Sequence, residues 1–160
     1  MKQTGVYVLC TFLFILVLFL LIAMMNGNSN GNCNSNSINK QDIDSFITNW
    51  FNATESRNPH KPFNFFSDNA VLFATVSNEF RNTPNQILNY FKFFIKLPNL
   101  KNTLVKKLIT KIDNNTWGYY AFVNWSWDGQ PVATARMSFI IKVHNNNKLK
   151  ISLLHSSVLP

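Results

Sequence analysis

The spacing of apolar residues changes character repeatedly along the chain, and each change marks an element. Val6 to Met25 is unbroken apolar sequence. At a helical rise, a run of that length reaches roughly 30 Å, the hydrocarbon thickness of a bilayer. Asn26 to Ser37 contains only Asn, Gly, Ser and one Cys, so it has nothing to bury and reads as a flexible tether. The period then becomes helical: Ile43, Phe46, Ile47, Trp50, Phe51 and Thr54 share one face. Asn39 is placed to cap this helix, Asp42 and Asp44 suit its positive end, and Asn58-Pro59 ends it. Pro62 to Phe66 adds a phenylalanine-rich helical turn.

Ala70 to Val76 is a strand candidate. A second helix follows, with Thr83, Pro84 and Gln86 at N-cap, N1 and N3, a capping box in which proline's missing donor costs nothing. Its apolar face is Ile87, Tyr90, Phe91, Phe94 and Ile95, and Pro98 closes it. From there the period is two. Leu104–Ile112, Trp117–Trp127, Pro131–His144 and Lys148–Leu159 read as long strands, with hairpin material at Asp128-Gly129 and Asn145-Asn146-Asn147. Successive hairpins imply a strongly curved antiparallel sheet with the helices packed into its concave side, an α+β fold.

Length divides the 160 residues into a membrane-type segment (1–25), a tether (26–37) and one domain (38–160), which leaves no room for a second. The apolar segment is longer than a usual signal core, and Ala23-Met24-Met25 lacks the small-x-small cleavage pattern. An uncleaved transmembrane anchor is therefore expected, with a cleaved signal and a buried helix as alternatives. Lys2 precedes the run and no basic residue follows until Lys40, which favours a cytoplasmic N-terminus and an extracytoplasmic domain, secreted if the segment is cleaved. Cys10 and Cys33 both lie outside the domain, so disulfides do not hold it together. The net charge of +8 comes from scattered lysines rather than a stripe, which argues for a solvated face or attraction to anionic lipid and against nucleic acid.

Strand parity places Thr134, Arg136, Ser138 and Ile140 on one face, and Ile151, Leu153, His155 and Ser157 on one face of the last strand. A polar pocket inside the curved sheet would make Arg136 a clamp for a carboxylate or other anion and His155 a hydrogen-bonding group or proton carrier. Alternatively Arg136 lies on the outer face or pairs with Glu79 or Asp128. Arg81 points into the mouth of the same cavity or out to solvent, and Tyr90 is either a core or interface aromatic or a ligand contact. The three histidines lie on separate elements, and no metal-ligand spacing or phosphate loop occurs, so no metal or cofactor is expected. Ser156 and Ser157 adjoin His155, but strand neighbours face opposite ways and do not make a nucleophile and base.

The stretches AVLFATVSNEFR (70–81), ILNYFKFF (87–94), ARMSF (135–139) and HSSVLP (155–160) resemble the association domain of calcium/calmodulin-dependent protein kinase II, within the NTF2-like (SnoaL-like) superfamily. The resemblance covers Ile38 to Pro160. It implies an NTF2-like cone of curved antiparallel sheet around helices, a cavity open at one end, and assembly through the sheet into a homo-oligomer, without kinase activity. It puts Arg136 in the cavity and matches Arg81 and His155 to characteristic positions. Leu154 departs from relatives that carry two consecutive histidines there. The function implied is a membrane-tethered oligomerisation or small-ligand-binding module whose cavity takes an anionic small molecule. The alternative is an isomerase, dehydratase or cyclase with His155 as base and Arg136 as anion clamp.

Overall fold

The first helix, α1 (Lys40–Thr54), starts where its cap residue stands. Asn39 accepts from the Gln41 and Asp42 amides at 2.8 and 3.2 Å, and Asp42 accepts the Asn39 amide at 2.9 Å, a complete capping box. Its buried stripe is Ile43, Ile47, Trp50, Phe51 and Thr54. The computed structural model describes residues 37–75 and 77–159. After α1 come a single turn, α2 (His60–Phe63), strands β1 (Phe66–Phe73) and β2 (Phe80–Arg81), and helix α3 (Pro84–Phe94). Thr83 caps α3 by accepting the Gln86 amide at 3.4 Å; Gln86 reaches back one residue further than a strict box, to the Asn82 amide at 3.1 Å. The long strands are β3 (Lys101–Lys111), β4 (Thr116–Ser126), β5 (Ala133–Val143) and β6 (Leu149–Val158).

One six-stranded sheet results, ordered β2-β1-β6-β5-β4-β3. β3 to β6 form an antiparallel meander, but β1 pairs parallel with β6. The expected all-antiparallel cone is therefore corrected to an open, mixed sheet with β2 and β3 as its edges. A parallel neighbour needs a long crossover, and the chain from β2 through β5 provides it. β3 is protected as an edge by Lys101, Lys106, Lys107 and Lys111.

The membrane reading is also corrected. Among the described residues no helix is long and apolar enough to cross a membrane. The anchor (1–25) and most of the tether (26–37) lie outside the described residues. The described residues therefore give no support to tethering, a membrane partner or a single-pass extracytoplasmic placement.

Both main helices cover the same sheet face. On β4, Trp117, Tyr119, Ala121, Val123 and Trp125 are buried while Tyr120 and Phe122 are exposed. On β5, Ala135, Met137, Phe139 and Ile141 are buried and join the core of α1 and α3. The ring of Phe139 lies 5.2 Å from Trp50, 6.1 Å from Phe51 and 5.8 Å from Tyr119, the tilted geometry aromatic pairs favour. β6 breaks its own alternation: Ile140 pairs with Leu153 but Ile141 with Ile151, leaving Ser152 as an extra residue whose hydroxyl donates to the Ile140 carbonyl at 3.2 Å. This bulge lets both Ile151 and Leu154 face the core.

Candidate functional site

Between the helices and the inner sheet face lies a cavity of about 60 Å³. Its walls include Trp50, Tyr90, Phe91, Phe94, Trp125 and Met137, with Thr75 and Ser156 as its hydroxyls. Those two hydroxyls hydrogen-bond each other. Trp50 is 2% exposed and its indole Nε1–H has no partner among the described residues. Among the described residues no charged side chain lines this space.

Tyr90 is buried at the cavity wall, held between two partners. Phe94 stacks against it at 5.4 Å and 15°, and the Arg81 guanidinium sits 5.0 Å from its ring centroid. Burial pushes the Tyr90 phenol well above its ordinary range, and the nearby Arg81 charge partly opposes that shift. Arg81 is fixed by donating to the Glu79 carbonyl at 3.2 Å and to Ser77 Oγ at 3.0 Å. Arg81 and Tyr90 share a polar recess of about 390 Å³ with Gln86, Asn89 and Phe93. The structure thus brings these two candidates together at one edge of the cavity, a contact that the sequence does not indicate.

Arg136 and His155 stand elsewhere. Both are exposed, on the outer sheet face that carries no helix. Arg136 pairs with Phe122 on one side and Ser157 on the other; His155 pairs with Ser138 and Phe73. Strand parity groups the β5 residues as the structure has them, with the outer face one of the two places it leaves open for Arg136, but it fails on β6, where Ile151 faces the core and Leu153, His155 and Ser157 do not. On β5 the more apolar set, Ala135 to Ile141, fills the interior. On β6 the Ser152 bulge turns Leu153, His155 and Ser157 away from Ile151. Neither Glu79 nor Asp128 pairs with Arg136: Asp128 accepts from Asn99 at 2.6 Å, and Arg136 has no ion pair or hydrogen bond among the described residues. His155 has one ring neighbour, Phe73, at 6.2 Å edge-on. Among the described residues no group of His, Cys, Asp and Glu is arranged to hold a metal.

The outer face carries what the sequence reading passed over. Lys106, Phe122, Arg136 and Ser157 form one cross-strand row, and Leu108, Tyr120, Ser138, His155 and Phe73 form the next. Leu108 is 62% exposed, and Tyr120 and Phe122 are each 37% exposed. The signal was available: Leu108 shares parity with Lys106, as Tyr120 does with Phe122. Gly118 explains the posture of Tyr120, because a Cβ there would come within 2.7 Å of its Oη. The Tyr120 ring therefore lies flat along its own strand.

No protein-family model and no curated protein matches the chain. Solved structures do. A candidate calcium/calmodulin-dependent protein kinase II association domain from Xanthomonas campestris is 25% identical with a TM-score of 0.71, over 78% of this chain and 90% of that one. A candidate ketosteroid isomerase from Parabacteroides distasonis is 16% identical with a TM-score of 0.64, over 80% and 93%. An NTF2-like protein of unknown function from Pseudomonas putida is 10% identical with a TM-score of 0.66, over 73% and 84%. The chain has an NTF2-like fold.

Proposed function

We propose that this domain is a self-association module related to the kinase II association domains, and that it pairs with a second copy through the outer face of β3–β6. The observation that carries this reading is the uncovered apolar surface of Leu108, Tyr120 and Phe122 on a face that α1 and α3 leave bare. Scattered exposed apolar residues are ordinary, but adjacent cross-strand rows of them mark an interface. Strands of this length, at about 3.3 Å per residue and about 4.8 Å apart, present on the order of 600 Å². That is near the roughly 800 Å² each partner contributes to a standard interface. A two-fold pairing brings the same patch to itself and needs no other protein. The similarity to a protein described as an association domain supports the same reading.

Sedimentation of the purified full chain at high micromolar concentration tests it. A dimer or larger species is expected, reduced to monomer by Tyr120→Glu with Phe122→Glu. A strictly monomeric wild-type chain refutes the proposal. No specific observation favours the isomerase, dehydratase or cyclase alternative, because Arg136 and His155 lie outside the cavity and the cavity walls carry no charge.

A further inference from the structure

The paired outer face has an electrostatic problem that its own symmetry creates. β3, β4, β5 and β6 contain no Asp or Glu at all. Lys107 turns to the helix side and pairs with Asp44. Lys106 and Arg136 stay outside, flanking Phe122 along one row and lining a groove of about 340 Å³ with Leu108, Tyr120 and Ser138. In a two-fold interface each patch meets an identical patch. The partner therefore offers Lys106 and Arg136 again, and no carboxylate. Covering a cation without an opposite charge leaves its desolvation uncompensated, and two like-charged pairs brought together add repulsion.

We infer that the groove is an oxyanion site completed by association: a small multivalent oxyanion of the phosphate type is held by Arg136 and Lys106 from both copies. The guanidinium fork of Arg136 matches a tetrahedral oxyanion through two parallel N–H donors, and Lys106 adds a point charge. Lys106 and Arg136 are separated by a single strand, so their backbones stand roughly 10 Å apart, within the joint reach of two long side chains around one ion. This inference rests on the self-association reading and adds a ligand to it. It also keeps Arg136 as an anion-binding residue while moving the site from the cavity to the seam between copies.

The experiment compares dimer dissociation constants of the full chain, by sedimentation equilibrium, in sodium phosphate and in sodium chloride at equal ionic strength and pH. Phosphate is expected to tighten the dimer at least tenfold. Arg136→Gln is expected to abolish that difference and to associate in chloride at least as tightly as wild type; Lys106→Gln, on a different strand, serves as a second variant with a smaller effect in the same direction. Equal constants in the two salts, or a phosphate effect that survives Arg136→Gln in a folded dimer, would overturn the oxyanion site while leaving self-association standing. A chain monomeric in both salts removes both proposals together.

Discussion

Replacing Phe139 with alanine is the sharpest test of which side of the sheet is the interior. Phe139 is 0% exposed and touches the rings of Trp50, Phe51 and Tyr119. Truncating a buried Phe costs about 3–5 kcal/mol, and losing three aromatic pairs at about 0.5–1.5 kcal/mol each pushes the value toward the upper half of that range. We expect a loss of about 4 kcal/mol, against total stabilities of about 5–15 kcal/mol for domains in general. Urea unfolding, at protein concentrations that keep the chain monomeric, should show the midpoint falling by about 2 M. Arg136→Ala, three residues away on the opposite face, should change stability by about 0.5 kcal/mol or less. If Arg136→Ala costs more than about 2 kcal/mol and Phe139→Ala less than about 1 kcal/mol, the assignment of faces is inverted and the seam argument falls with it.

Other expectations follow from particular contacts. Asn39→Ala removes the acceptor for two amides at the start of α1 and should cost about 1 kcal/mol, read as a lower melting temperature. Glu55→Ala strips the Asn102 amide and side chain of an acceptor at 2.9 Å and breaks the Lys101 pair; a loss of about 1–2 kcal/mol is expected, and a neutral result would mean water replaces the carboxylate at no cost. Burial, with the Asp44 carboxylate adding to it, pushes the Tyr119 phenol from 10.0 up to about 12. A folded value above the unfolded one means that its stabilising contribution is whole below about pH 10 and disappears as pH rises toward 12. Tyr119→Phe should therefore flatten the stability profile across that window. Because the Tyr119 hydroxyl is buried without a partner, the same variant should equal or exceed wild type at neutral pH.

The elements were legible because local chemistry and global packing agree over most of the domain. Asn39 and Thr83 start their helices as caps, and β4 alternates in burial from Tyr119 to Trp125. The first strand was misjudged: β1 begins at Phe66, ahead of the Ala70 start expected, because Phe66 itself is a core residue. Its parallel pairing with β6 involves residues some eighty positions apart, and no local pattern encodes that choice. The candidate site was legible only in part. The sequence marks Arg81 and Tyr90 as separate candidates and does not join them; they meet because Arg81 precedes the capped start of α3 and Tyr90 lies on the buried face of that helix. Arg136 and His155 were assigned inward because a charge among apolar neighbours invites a pocket. The alternate register of β5, with Ala135, Met137, Phe139 and Ile141, was the better filling for the core and displaced them. Nothing in the β6 sequence marks Ser152 as an added residue, since a serine in a strand is unexceptional.

That serine gives the last strand a hinge in its reading frame. Excising it would let regular alternation run through from Ile151 with every later side chain on its present side, whereas pairing it as an ordinary ladder residue would aim the imidazole of His155 at the helices and bring Leu154 to the surface. A slip of one residue in pairing, with no change in sequence, would thereby exchange an inert lining for a titratable one. Relatives that pair this strand without the bulge would carry the same letters on opposite sides of the wall.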